Sequence, residues 1–320
     1  MRRLGQWLAV VVLLVVVGGI AFYEHPLWVE QQRTHFGLFL ARVQSNYVMT
    51  PEGRVHYYEA EPRFAPGHGI PVVLVHGLAD RDESWAPMMK RLKRAGFHVY
   101  APDLLGYGRS PKPEDSDYSI STQEQFVADF IQSLGLQKTD VGGWSMGGWV
   151  ALKLALDHPE MVDRVAVYDS AGLKPQGVSP AMMFNPSTPE DINRLLATME
   201  PEAKPLPGFV ARDAVRRFQA GQEITDKSVA AMGTGKDLLD ARLPTLTQPL
   251  LIVWGSADQL TPLSAGKAMH GLVPTSELDI VEGCGHLAPL RCSSAVAGAT
   301  ADFFKSNPVP QGGVRTIAPR

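Results

Sequence analysis

Ser145, Asp258 and His286 stand in chain order as three residue types that together can activate a hydroxyl. A serine hydroxyl is a weak nucleophile until a base takes its proton. Histidine does that near neutral pH, and a carboxylate fixes its tautomer and stabilises the imidazolium. Ser145 lies in Gly143-Trp144-Ser145-Met146-Gly147, a Gly-x-Ser-x-Gly pattern. An apolar, strand-like run (Thr139 to Gly142) precedes it and a helix-like run (Gly148 to Asp157) follows. A serine on a sharp strand-to-helix turn is held in strained backbone geometry, and its oxygen is exposed. Side chains two residues before and after it would collide with the neighbouring strand and helix, so glycine is required there. The N-terminus of the following helix favours negative charge developing at that point. Alone, the pattern also fits a glycine-rich turn that happens to hold a serine. The rest of the chain must decide.

The elements needed to position these residues can be read from periodicity. Tyr47 to Met49 and Arg54 to Glu59 read as a hairpin around Pro51-Glu52-Gly53. Val72-Val73-Leu74-Val75 is a β-branched run of the kind buried on both faces of a parallel sheet. Ser84 to Ala95 and Ser121 to Leu134 carry apolar residues at helical spacing, with the strand His98 to Ala101 between them. Strand Val165 to Tyr168 follows the serine turn and its helix. This alternation implies an α/β fold with a mostly parallel sheet covered on both faces by helices.

From Gly172 to about Pro244 the alternation stops. Prolines are frequent there, and helical stretches run over Pro189 to Met199, Phe209 to Ala220 and Asp226 to Leu243. We read residues 172–244 as an inserted helical cap. The sheet resumes with Leu250 to Trp254, helix Leu263 to His270, strand Glu277 to Val281 and helix Ser293 to Lys305. The core is thus expected over 47–171 and 245–306, with a flexible tail over 307–320.

Asp258 follows strand Leu250 to Trp254, and His286 follows strand Glu277 to Val281. Both therefore fall at strand ends, where open α/β sheets place their ligands. Asp169, after strand Val165 to Tyr168, is the rival carboxylate. The backbone N–H groups of Leu78 and Met146 are candidates for binding a carbonyl oxygen as it becomes an oxyanion. His76, beside Gly77 and Leu78, is read as structural. The loop from Pro102 to Ser110 is glycine-rich but has no phosphate-binding spacing, and Asp103 and Arg109 are expected to pair within it.

The N-terminus has a different character. Arg2 and Arg3 precede an apolar run from Trp7 to Phe22. Residues 1–23 are therefore expected to be an uncleaved signal anchor or transmembrane segment, joined by a linker at 24–46. That makes the membrane a partner and places the catalytic domain outside the cytoplasm. Secretion after signal cleavage is the alternative. Export would permit a disulfide between Cys284 and Cys292, but 320 residues can hold a core without one. Hydrophobic residues at 45% and charged residues at 20% are ordinary for a globular protein. The formal net charge of −3 argues against nucleic acid as a partner, since no positive field would attract phosphates. No internal repeat and no Cys-x-x-Cys metal pattern is present, and nothing calls for a cofactor or a metal.

From about Pro71 to Phe304 the chain resembles an α/β-hydrolase of the capped serine esterase and lipase kind. The residues that carry the resemblance are His76-Gly77-Leu78, Pro102 to Ser110, Gly143 to Gly148, Gly255-Ser256-Ala257-Asp258 and Gly283-Cys284-Gly285-His286. It implies Ser145 as nucleophile, His286 as base and acid, Asp258 as orienting carboxylate, and hydrolysis of a carboxylic ester through an acyl-enzyme. The apolar residues of the insertion, Met182, Met183, Phe184, Leu195, Leu196, Phe209, Val210 and Phe218, point to a small or medium apolar acyl ester entering beneath it. The serine argues against the family's dehalogenases and epoxide hydrolases, which place aspartate there. One superfold hosts many reactions, so a thioesterase, an amidase, a carbon–carbon bond hydrolase or a non-catalytic binding protein are the alternatives.

Overall fold

The computed structural model describes residues 7, 13, 16–62, 69–175, 183–310 and 312–319. Nine strands form one sheet in the order β1-β2-β4-β3-β5-β6-β7-β8-β9. Here β1 is Gln44–Thr50, β2 Gly53–Ala60, β3 Ile70–Val75, β4 Phe97–Pro102, β5 Thr139–Trp144, β6 Val162–Tyr168, β7 Leu250–Gly255, β8 Glu277–Val281 and β9 Gly313–Ile317. The β1–β2 and β2–β4 pairs are antiparallel, and all others are parallel. The parallel strands are the β-branched runs of the sequence: Val72, Val73, Leu74 and Val75 are completely buried.

Each face of the sheet has its own apolar core. One packs under helices Ile120–Ser133, Met146–Asp157 and Leu263–Leu272, through Phe126, Phe130, Val150 and Met269. The other packs under helices Ala86–Arg94 and Ser293–Lys305, through Met88, Met89, Leu92, Val296 and Phe303. Because consecutive parallel strands are joined by helices, all their C-terminal ends lie along one edge. That edge carries the turns that follow β3, β5, β6, β7 and β8.

The insertion between β6 and β7 forms helices Pro189–Met199, Gly208–Ala220 and Gln222–Gly233. The third is much shorter than the expected Asp226 to Leu243. It stops because Gly235 takes the left-handed conformation (φ 70°), and its N–H bonds back to the Met232 carbonyl. Residues 176–182, including Met182, lie outside the described residues.

Two expectations about the chain ends are corrected. Among the described residues no helix is long and apolar enough to cross a membrane, which overturns the signal anchor at 1–23. Residues 16–24 are helical, and Pro26 opens a separate helix, Pro26–Leu40. The described end of the apolar run is largely exposed, and its last two aromatic residues touch the insertion. Phe22 and Tyr23 pack on Phe209 of the insertion, with ring centroids 5.9 and 5.3 Å apart, and the Leu27 N–H donates to Asp213 (2.9 Å). Arg2, Arg3 and most of residues 8–15 lie outside the described residues. The membrane partner and the anchored, exported placement rested on that anchor and are dropped with it. At the other end, the expected flexible tail contributes β9, which pairs in parallel with β8 and is tied to it by Arg315. The Arg315 guanidinium donates to both oxygens of the buried Asp279 (2.8 and 2.7 Å).

Candidate active site

Ser145 sits between β5 and helix Met146–Asp157 with φ 57° and ψ −119°, a conformation L-residues rarely adopt. The flanking glycines are forced by contact. A Cβ on Gly143 would overlap the Gly147 carbonyl, and one on Gly147 would overlap the Val75 carbonyl of β3. The turn thus brings β3, β5 and the helix into backbone contact, with the partly buried Ser145 at its apex. The Ser145 carbonyl accepts from Gly148 N and Ala171 N (both 3.0 Å), which ties the turn to the end of β6.

His286 and Asp258 meet across the ends of β8 and β7. The His286 Nδ1 is 2.8 Å from Asp258 Oδ2, and both residues are buried. Asp258 is held as an acceptor. Its Oδ1 takes hydrogen bonds from Leu260 N (2.8 Å) and Thr261 N (3.0 Å), and its Oδ2 takes one from the Thr261 hydroxyl (2.6 Å). That hydroxyl is also 3.0 Å from His286 Nδ1. A carboxylate so surrounded keeps the proton on Nδ1 and leaves Nε2 as the ring's basic atom. Sequence reasoning missed Thr261. Its signal is present in Asp258-Gln259-Leu260-Thr261, where an aspartate side chain can bond the backbone two and three residues on.

The His286 loop is fastened from three sides. The His286 N–H donates to the Met199 carbonyl (2.6 Å), Trp144 Nε1 donates to the His286 carbonyl (2.8 Å), and Glu200 Oε1 accepts from Leu287 N (2.9 Å). A disulfide links Cys284 to Cys292, eight positions apart, and closes the segment that carries His286. Gly285 is required because a Cβ there would overlap the Met199 carbonyl. The insertion therefore contributes to the site through the end of helix Pro189–Met199, which pattern reading of the insertion did not show.

Asp169, the rival carboxylate, is completely buried at the end of β6. Its Oδ1 accepts from Gly255 N (2.7 Å), and its Oδ2 has no hydrogen-bond partner among the described residues. Burial first, and then the negative charge of Asp258, push its pKa well above the usual carboxylate range. Both causes favour its neutral form more than in an ordinary carboxylate.

Leu78 and Met146 border the same cavity as Ser145. Among the described residues neither backbone N–H has a protein acceptor. His76 does structural work: its Nδ1 bonds the Gly77 carbonyl (2.8 Å) and its Nε2 accepts from Leu104 N (3.0 Å). The expected Asp103–Arg109 side-chain pair is not formed. Asp103 accepts from the backbone N–H groups of Arg109 (2.8 Å) and Asp82 (3.0 Å), while the Arg109 guanidinium turns to Ser45 and Tyr58.

The cavity beside Ser145 measures about 550 Å³ and is lined mostly by apolar side chains, among them Trp149, Met183, Phe184, Val229 and Met232. Of the apolar insertion residues that could have faced a substrate, Met183 and Phe184 line it. Phe218 instead packs against a small core of the insertion formed by Ile192, Ala211, Ala214 and Val215, and Leu195 is buried without lining the cavity.

A parallel sheet whose edge carries a serine elbow and an Asp–His pair, under a helical insertion, defines the class of serine-type hydrolases. The chain belongs to the alpha/beta hydrolase fold family, whose model matches residues 70–290. Among curated relatives it is 27% identical to a 2-hydroxymuconate semialdehyde hydrolase of Pseudomonas sp. (strain CF600), over 74% of this chain and 88% of that protein. It is 26% identical to Lipase 1 of Psychrobacter immobilis, over 74% of this chain and 76% of the lipase. Among solved structures it is similar to a membrane phospholipase A, a bacterial virulence factor, at a TM-score of 0.79 and 27% identity, covering 95% of this chain and 98% of the other.

Proposed function

We propose that the protein is a serine hydrolase that cleaves carboxylic esters through an acyl-enzyme. The observation that carries this reading is the ordered pair His286–Asp258 at 2.8 Å on the same sheet edge as the strained Ser145, beside a largely apolar cavity. In the proposed cycle His286 Nε2 takes the Ser145 proton as Oγ attacks the ester carbonyl. The N–H groups of Leu78 and Met146 receive the oxyanion, and the proton passes from His286 to the departing alcohol. Water, deprotonated by the same imidazole, then releases the acid and restores Ser145. The likeness to a lipase and to a phospholipase A supports an ester as substrate.

A second reading has its own support, and among the curated relatives it is the broader. The hydrolases of 2-hydroxymuconate semialdehyde and 2-hydroxy-6-oxo-2,4-heptadienoate share 26–28% identity with this chain, over 88–90% of their own length. By their names these act on unsaturated carbonyl compounds, and the second name is that of a carboxylate. Lys174, on the cavity wall, offers a charge to such an acid. The same three residues would then serve carbon–carbon bond cleavage.

The test is a substrate panel on the full chain: p-nitrophenyl esters from acetyl to decanoyl, the matching thioesters and amides, and a 2-hydroxy-6-oxo-dienoate. The ester reading expects the rate to rise from acetyl to butyryl or hexanoyl, since each buried methylene adds about 0.8 kcal/mol until the cavity is full. A dienoate kcat/KM well above that of every ester would move the assignment to carbon–carbon cleavage.

A further inference from the structure

A second cavity, of about 520 Å³, lies between helix Pro26–Leu40 and the β1–β2 hairpin, and its lining shares no residue with the Ser145 cavity. One wall is apolar, with Leu38, Phe39 and Val43. Across from it are His35, Arg42, Ser45, Tyr58 and Arg109, and no carboxylate lines the cavity. The acids nearby are spoken for. Glu83 binds His35 Nε2 (2.6 Å) and Gln31, while Asp82 and Asp103 are buried behind His56.

A hydrogen count shows what this wall lacks. Ser45 Oγ is 2.8 Å from His56 Nε2 and accepts from Arg109 Nη1 (3.3 Å). His56 Nδ1 faces two carboxylate oxygens, Asp82 Oδ2 at 2.7 Å and Asp103 Oδ2 at 3.1 Å, so that nitrogen carries a proton. Burial alone would push the His56 pKa down. Hydrogen bonds to Asp103 and then Asp82 outweigh it and raise the pKa above the usual imidazole value. When both ring nitrogens carry a proton, Ser45 Oγ accepts twice and its own hydrogen is left for an acceptor in the cavity; when Nε2 is bare, that hydrogen goes to the ring. Tyr58 Oη likewise accepts from Arg109 Nη2 (3.1 Å), and burial holds its pKa up at about 12, so its proton stays on and is also available. Arg42 and Arg109 have no carboxylate within ion-pair distance among the described residues.

We propose that this cavity is a second ligand site, separate from the Ser145 cavity, for an oxyanion head carried on an apolar body. The head accepts from Arg109, Arg42 and the Tyr58 hydroxyl, and from Ser45 when the His56 ring holds both its protons. The body lies along Leu38, Phe39 and Val43. Planar guanidinium groups bind carboxylate and phosphate equally naturally, so either head satisfies the site's chemistry.

Octanoate and octyl phosphate, with octanol as the uncharged control, are titrated into the full chain labelled with ¹⁵N-histidine. The His35 and His56 ring signals report this cavity, and His286 reports the other. Saturable shifts of His35 and His56 with at least one anion are expected, and octanol should bind about tenfold or more weakly, because hydrogen bonds to charged groups are the strong ones. Which anion binds more tightly identifies the head. Arg109→Met should weaken the response by about tenfold or more. Should that variant not fold, the exposed Arg42→Met and Ser45→Ala should each weaken it. Shifts confined to His286, equal binding of octanol, or unchanged affinity in the arginine variants would overturn the site. None of these readings requires turnover, so failure of the ester assay leaves this result separate.

Discussion

The strand-end edge and the helical insertion both touch the site, but they are built by opposite means. At the edge, backbone meets backbone. Gly143, Gly147 and Gly285 have no room for a single carbon, and Ser145 is held at φ 57° by its neighbours. In the insertion, helix packs on helix through ordinary side chains such as Ile192, Ala211 and Val215. Contact with the catalytic edge is made by a short strap, Thr198-Met199-Glu200, where Thr198 and Met199 offer carbonyls to Gln259 N (3.3 Å) and His286 N (2.6 Å). Atoms that must stay within tenths of an ångström are fixed by steric exclusion, and the surface that selects a substrate is left on packing that can be resized.

The largest effect should come from the apex of the edge. Ser145→Ala removes the proposed nucleophile and should lower kcat by roughly three or more orders of magnitude with the fold intact. Residual activity near wild type would take the chemistry away from the elbow altogether.

Next come the two buried carboxylates, which differ in what surrounds them. Asp258→Asn should cost about two or more orders of magnitude in kcat, because an amide facing Nδ1 favours the wrong tautomer. Asp169→Asn should be nearly silent in kcat, since Asp169 makes no hydrogen bond to His286 and an amide oxygen can still accept from Gly255 N. Its effect should appear in stability instead. The folded-state pKa of Asp169 is raised, so the unfolded chain loses this proton first and stability declines as pH climbs from the unfolded value toward the folded one. The asparagine variant should therefore match wild type near pH 4 and exceed it in Tm at pH 7 to 8. The reverse pattern, a dead Asp169→Asn and an active Asp258→Asn, would transfer the acid role to Asp169.

The same contrast decides what could be read in advance. The edge is legible because its constraints fall on residue type at fixed spacing: glycines around Ser145, β-branched runs in β3, and an acid and a histidine after β7 and β8. The insertion is legible only as helices. Which of its apolar residues line the cavity depends on how the helices sit: Phe218 packs on the insertion's own core and Leu195 is buried, while Met183 and Phe184 line the cavity. Thr261 and the strap act through backbone geometry that leaves little trace in composition. Hydropathy misled most at the N-terminus. Phe22 and Tyr23 read as part of a span, yet their rings touch Phe209 of the insertion, a contact that apolar content alone does not reveal. Proline and glycine in Pro308, Pro310, Gly312 and Gly313 suggested a loose tail, but the residues after them pair with β8 because that edge would otherwise be open.

The strap is where the two regions can be uncoupled. Glu200→Ala removes the acceptor of the Leu287 N–H (2.9 Å) beside His286 and should lower kcat about tenfold with little change in KM. Glu200→Gln keeps an acceptor oxygen and should restore most of that loss. A change in KM alone would mean that Glu200 shapes the cavity and does not steady His286.

The smallest effect is expected farthest from the edge. Helix Pro189–Met199 begins with a reciprocal cap: the Thr188 hydroxyl accepts from Asp191 N (3.2 Å), and Asp191 Oδ2 accepts from Thr188 N (3.0 Å). Thr188→Ala frees the first turn of this helix. The last turn, which carries the strap, stays fastened to the His286 loop, so fraying need not travel the length of the helix. Tm should fall by no more than about 2 °C, and kcat should be unchanged. The hydrogen bonds from Thr188 and Ser187 also lower the Asp191 pKa. A depressed carboxylate stabilises above its unfolded pKa and loses that contribution as pH falls through the folded value, so the difference between variant and wild type should shrink in acid. If kcat instead fell with Thr188→Ala as steeply as with Glu200→Ala, the insertion and the edge would be one rigid unit, and the contrast between them would be lost.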